Sequence, residues 1–219
     1  MIEHKSINNL ISIKDTLKNK VKQNNHPTII AVSKTFPLSE ILPLINYGHD
    51  HYGENKVQEA MEKWTNIKED FKHIKLHMIG KLQKNKVKYV VELFDYIHSL
   101  DNLKLAEKIS SEQQKKNKKL KIFIQINIGN EEQKSGIQIN NLKEFYKNCT
   151  KNLGLDIIGL MCLPPKEVES TNYFSKMQKL LSEIKAQELS MGMSNDFFEA
   201  TSNGATFLRI GSKIFGSRN

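Results

Sequence analysis

Residues 28–34 read TIIAVSK, an apolar and largely β-branched run that ends on a lysine. Branched side chains favour a pleated strand, so Lys34 stands where a buried strand opens into a loop. A lysine held against an apolar wall is disfavoured as an ammonium, and the neutral amine that results can attack an aldehyde carbon. Lys34 is therefore a candidate Schiff-base former. The plainer reading of the position is a solvated lysine just past a strand.

Working outward, strand-like runs recur at 50–53, 74–79, 95–99, 121–128, 157–161, 187–191 and 206–210, which with 28–33 makes eight. Helical patterns separate them at 38–47, 54–65, 82–92, 101–117, 139–150, 167–186 and 195–203, and Ile7, Leu10, Ile11, Leu17 and Val21 mark one more at the start. Asp101 and Ser194 read as helix-starting residues. Eight βα repeats without a long insertion predict an α/β fold, a closed (β/α)8 TIM barrel, with a doubly wound open sheet as the alternative. No residues remain for a second domain, so 1–219 is expected to form one.

Composition narrows the function classes. No apolar stretch is long enough to cross a bilayer, and the opening MIEHKSINNLISIKD is too acidic and interrupted for a signal peptide, which predicts a cytoplasmic protein. Cys149 and Cys162 have neither disulfide-framework nor zinc spacing and read as reduced thiols. A metal site on His49 and His51 would lack a third ligand nearby. The net charge of +9 and the lysine groups at 81–88 and 115–121 suggest nucleic acid, but only Arg209 and Arg218 among the 33 basic residues are arginine. Without the bidentate arginine fork or interleaved aromatics, these clusters read as solvated helix faces, and no nucleic-acid partner is expected.

In a barrel the ligand face lies at the carboxyl ends of the strands. Lys34, Glu54, Asn55, Gly80, Ser99, Asn127, Met161, Ser190 to Ser194 and Arg209 to Ser212 fall there. Barrel phosphates are commonly held by the loops after strands seven and eight, which here read SMGMS and RIGSKIFG. The alternative for each is a tight turn and a helix cap. A strand-one lysine, a phosphate cradle of Ser190, Ser194, Gly211 and Ser212, and Arg209 at a ring nitrogen together describe a pocket for pyridoxal 5′-phosphate. An arginine there donates to an unprotonated ring nitrogen and leaves the ring a weak electron sink.

The stretches AVSKT (31–35), YGENKVQE (52–59), HMIGKLQKNK (77–86), NEEQKSGI (130–137), IIGLMCLP (157–164), LSMGMSND (189–196) and RIGSKIFGSR (209–218) resemble the pyridoxal phosphate homeostasis proteins across nearly the whole chain. The resemblance implies a barrel similar to that of alanine racemase, the type III fold of pyridoxal phosphate enzymes, and a cofactor carrier without established turnover. It implies the cofactor on Lys34, Asn55 beside the ring, Arg209 at the pyridine nitrogen, and Ser190, Ser194, Gly211 and Ser212 on the phosphate. Lys134 matches a family lysine of uncertain role, and a solvated loop lysine is its other reading. The chain departs from the family pattern at Leu76, often an aromatic, which is expected to alter packing beneath the ring, and at Ser212, often a threonine.

Racemases on a similar barrel take an acid or base from a second domain and a partner subunit, for which these 219 residues leave no room. The expectation is a store of pyridoxal phosphate that delivers to apoenzymes, a monomer, with a dimer as the alternative. The rival reading is a small racemase or lyase using Lys34 as base and His77 or Tyr52 as opposing acid.

Overall fold

The run at 28–34 forms β1 (Thr28–Val32), buried at all but its first position. The computed structural model describes residues 4–20, 26–165 and 169–217. Seven more strands follow: β2 (His51–Glu54), β3 (Lys75–Met78), β4 (Tyr96–Leu100), β5 (Lys121–Ile126), β6 (Asp156–Cys162), β7 (Glu188–Ser190) and β8 (Phe207–Ile210). Each pairs in parallel with the next, and β8 returns to β1 in the register Thr28↔Phe207 to Ala31↔Ile210. The sheet closes, as the eight repeats predict, and the open-sheet alternative falls.

Helices α1 (Lys5–Lys20), α2 (Leu38–Asn46), α3 (Val57–Asp70), α4 (Val87–Leu93), α5 (Leu103–Lys116), α6 (Leu142–Lys147), α7 (Thr171–Ile184), α8 (Phe197–Ser202) and α9 (Ser212–Phe215) surround it. Their boundaries differ from the sequence reading for local reasons. Residue 56 is extended at the head of α3, which leaves Asn55 in a loop rather than in the helix expected over 54–65. The pattern over 139–150 divides into a 3-10 turn, α6 and a π turn at Asn148–Asn152. The cap of α5 is Asn102, not Asp101: its side chain accepts the Leu105 N–H at 2.9 Å. Val21, residues 166–168 and Arg218 lie outside the described residues.

Strand alternation sorts the core into two compartments. Ile29, Ala31, Leu76, Met78, Ile122 and Ile124 face outward into a large apolar cluster shared with the helices, whose centre includes Trp64, Phe94 and Phe174. Ile30, Tyr96, Phe123, Met161 and Phe207 fill the barrel interior. Full burial of such a side chain contributes about 1.5–3 kcal/mol, so the interior is a packed core and not a pore. Leu76 belongs to the outer cluster, so it does not pack beneath a ring bound at the mouth.

Candidate functional site

The same alternation carries selected residues to the carboxyl mouth. Val32 and Lys34 continue the inward parity of Ile30, Asn55 continues that of His51 and Gly53, Ile79 that of His77, and Arg209 and Gly211 that of Phe207. All six named mouth residues line one cavity of about 1050 Å³, open to solvent, with Ser194 and Ser212. Leu163 and Met193, both substantially exposed, form its apolar rim, and Asp196 and Glu199 add carboxylates on one side. Of the seven residues expected at a cofactor, Lys34, Asn55, Ser194, Arg209, Gly211 and Ser212 come together here.

Ser190 does not line this cavity. It is wholly buried one layer below, where its hydroxyl accepts from Arg209 Nη1 at 2.6 Å and lies 2.8 Å from His98 Nδ1. The physical reason is the shortness of β7, which ends at this residue and leaves it inside the barrel while Ser194 reaches the mouth. Ser194 also differs from its reading as a helix cap: α8 starts after Asp196, and the Ser194 hydroxyl accepts the Lys213 N–H at 3.3 Å, joining the β7 and β8 loops. Gly192, at φ +87°, allows that loop to turn, and a Cβ there would lie 2.5 Å from that of Ala200. Ser99, Asn127 and Met161 also stand off the cavity lining.

Arg209 is nearly fully buried and fixed at two points, through Ser190 and through Nη2 to the Cys162 carbonyl at 2.8 Å. Burial lowers its pKa, opposed by Cys162 and Asp196, yet a guanidinium stays protonated and donates only. Two bonds leave further N–H groups for a ligand. Burial also pushes the Cys162 thiol up to about 12, which removes it as a nucleophile.

Sequence reasoning missed the support beneath Lys34. The turn at Ser33 to Phe36 holds Thr35 at φ +68°, a costly conformation for a β-branched residue. Its N–H donates to Glu59 Oε1 at 2.5 Å. Lys63 donates to Glu59 and to buried Glu54, each at 3.0 Å, and to the Ser33 carbonyl at 2.9 Å. Glu54 also accepts from Ser33 Oγ and Trp64 Nε1, so a charged cluster grips the residues on both sides of Lys34. Burial raises the Glu59 carboxyl, but the Thr35 N–H and the Lys63 ammonium outweigh it, and its pKa is lowered. Glu54, noted for its place at a strand end, thus serves the turn rather than the cavity.

The other candidates are placed elsewhere. His77 is buried inside the barrel, and Tyr52 packs on Trp64 in the outer layer, with ring centroids 4.8 Å apart; neither lines the cavity. Lys134 donates to the Pro164 carbonyl at 3.3 Å and pairs with Glu131, bracing its loop rather than extending into solvent. His49 Nε2 binds the His51 carbonyl at 3.0 Å, and no group of three potential metal ligands occurs among the described residues. In the lysine-rich stretch, Lys115 pairs with Glu112 and Lys116 with Glu92 on the helix surface.

The donor set of the cavity fits pyridoxal phosphate: an amine for a carbonyl carbon, a donor-only guanidinium for a ring nitrogen, hydroxyls and strand-end backbone for phosphate, and apolar walls for a ring. Comparison with known proteins gives the family. Residues 9–219 match the family model described as alanine racemase, N-terminal domain. A curated relative from Haemophilus influenzae, named pyridoxal phosphate homeostasis protein, is 37% identical over 217 residues, covering 94% of this chain and 92% of its own. The chain belongs to the pyridoxal phosphate homeostasis protein family. The solved structure of PipY from Synechococcus elongatus PCC7942 with pyridoxal phosphate bound aligns at a TM-score of 0.85 and 30% identity, over 96% of this chain and 100% of that one. An alanine racemase of Clostridium difficile shares the fold at a TM-score of 0.76 and 16% identity, over 98% of this chain and 57% of that one. Among the described residues, no helix is long and apolar enough to cross a membrane.

Proposed function

We propose that this chain binds pyridoxal 5′-phosphate in the carboxyl-mouth cavity and acts in cellular homeostasis of that cofactor, storing it and releasing it to apoenzymes. The observation that carries this reading is the convergence of Lys34, Asn55, Arg209, Ser194, Gly211 and Ser212 on one open cavity. In this reading the Lys34 amine bonds the aldehyde carbon, Asn55 flanks the ring, and Arg209 donates to the pyridine nitrogen. Ser194, Ser212 and the backbone at Gly211 hold the phosphate, and Ser190 acts through Arg209. When bound, the cofactor supplies an electrophilic carbon and an electron sink, which the arginine keeps weak.

Delivery rather than turnover is supported by the openness of the cavity and by the burial of His77 and Tyr52 away from it. Solvent and incoming amines can then reach the Lys34 linkage. The reading assigns a monomer working in the cytoplasm, with transient apoenzyme contact.

Purified protein supplied with pyridoxal phosphate should gain a visible band and, after borohydride, a mass adduct on the peptide carrying residue 34. Lys34→Ala should lose both; an adduct retained on another lysine would overturn the assignment. Deuterium exchange at Cα of a panel of amino acids should stay at background, and exchange at enzymatic rates would favour a racemase.

A further inference from the structure

Three consecutive strands each send one histidine into the barrel: His51 from β2, His77 from β3 and His98 from β4. His51 Nδ1 lies 2.9 Å from His77 Nε2, and His77 Nδ1 lies 2.9 Å from His98 Nε2. His98 Nδ1 is 2.8 Å from Ser190 Oγ, which Arg209 Nη1 meets at 2.6 Å. His77 stacks on Tyr96 and His98 on Phe123, with centroids 4.1 and 4.3 Å apart, so packing fixes both ring planes. His77, His98 and Ser190 are completely buried. At the far end His51 lines a separate cavity of about 410 Å³ at the amino-terminal mouth, with Nε2 3.8 Å from Asp50 Oδ1.

The guanidinium sets the direction of this chain of bonds. Because it can only donate, Ser190 Oγ accepts from Arg209, and the single serine hydrogen then goes to His98 Nδ1. A ring accepting at Nδ1 carries its proton on Nε2, so His98 donates to His77 and His77 in turn donates to His51. His51 Nε2–H then faces Asp50 and the lower mouth. Reversing the direction would leave the serine hydrogen without an acceptor in a fully buried place, which carries a full desolvation penalty.

We propose that His98, His77 and His51 are positioning residues for Arg209: a one-directional relay that orients the Ser190 hydroxyl, aims the guanidinium at the ring end of the ligand, and opens at its other end onto the amino-terminal mouth. The relay deepens the proposed function and rests on it for the identity of the ligand, while its direction depends only on the protein. A change at His51 is thereby read in a cavity that His51 does not touch.

Nitrogen-15 NMR of histidine-labelled protein without cofactor tests the direction. His77 and His98 should both be Nε2–H tautomers at neutral pH, and Ser190→Ala should remove the ordering at His98. A Nδ1–H tautomer at His98 in the unsubstituted protein overturns the relay, whatever the ligand. With pyridoxal phosphate loaded, His51→Phe, which removes the acceptor for His77, should shift the visible maximum and speed release about two- to tenfold, the worth of one ordinary hydrogen bond. Ser190→Ala should act in the same sense, which guards against a fold defect in one variant. Release and spectrum unchanged in both would overturn the positioning role. Retention of the cofactor by Lys34→Ala would instead overturn the proposed function and leave the tautomer result standing.

Discussion

The ammonium of Lys63 donates at 2.9 Å to the carbonyl of Ser33, the residue that immediately precedes Lys34. The same nitrogen neutralises the Glu54 carboxylate, which is fully buried, while Lys63 itself is about nine-tenths buried. Removing one partner of such a pair leaves an uncompensated charge in the interior. Lys63→Met should therefore destabilise the fold by about 3–5 kcal/mol and loosen the Lys34 turn. Adding Glu54→Gln, which keeps the acceptor for Ser33 and Trp64 without the charge, should restore most of the loss. Urea midpoints of the two variants decide the point; equal midpoints would show that the charge on Glu54 carries no penalty.

Acid should weaken the barrel before its carboxylates titrate. Burial lowers His77 and His98 well below 6.5, aided by neighbouring positive groups, and burial with Lys14 lowers His49 to about 4. A base whose folded pKa is depressed binds its proton in the unfolded chain first, so stability is fully present above the unfolded value of 6.5 and falls as pH drops toward the folded one. His49, whose folded value is about 4, should cost roughly 2 kcal/mol between about pH 7 and about pH 5, and His77 and His98 act in the same direction. Urea unfolding across that range should show stability falling with acid, and His49→Gln should flatten the slope without abolishing it, since His51, His77 and His98 are lowered as well. A flat profile would mean that these rings are accessible to protons in the fold.

Much of this was legible in sequence because the signals were local. Strand-like runs mark all eight strands, β-branched ones at 28–33, 121–128 and 157–161 and weaker ones such as 50–53 by their place between helical patterns, and the residues that follow them mark the mouth, which is why Lys34, Asn55, Arg209 and Gly211 could be placed together. For Asn55 the strand-end signal and the helical pattern over 54–65 conflict, and the extended backbone at residue 56 resolves the conflict in favour of the mouth loop. Ser190 was misplaced by a single layer: position in sequence gives the strand end, but whether a short side chain reaches the cavity depends on strand length and barrel tilt. Lys63 carried no signal, for its partners Ser33 and Glu54 lie 30 and 9 residues away, and a helical lysine reads as solvated. The histidines did leave a trace, one per strand at inward parity in HYGE, KLHM and YIHSL, yet each alone reads as packing. Only the closed barrel joins them.

Gly80 supplies the sharpest steric test of the mouth. A Cβ built there would lie 2.3 Å from the Asn55 carbonyl oxygen and 2.7 Å from its Cα, closer than packed atoms tolerate, so Gly80→Ala must displace the Asn55 backbone. Overpacking of this kind costs about 1–3 kcal/mol, a loss that the closed eight-stranded sheet should survive. Because Asn55 lines the cavity, the displacement should shorten cofactor retention more than it lowers the melting temperature. Asn55→Ala serves as the comparison, since it removes the side chain and leaves the backbone in place. Both variants should release pyridoxal phosphate faster than the parent, and combining them should add little, because each removes the same contact. Unchanged release from Gly80→Ala despite a lowered melting temperature would take Asn55 out of the binding set.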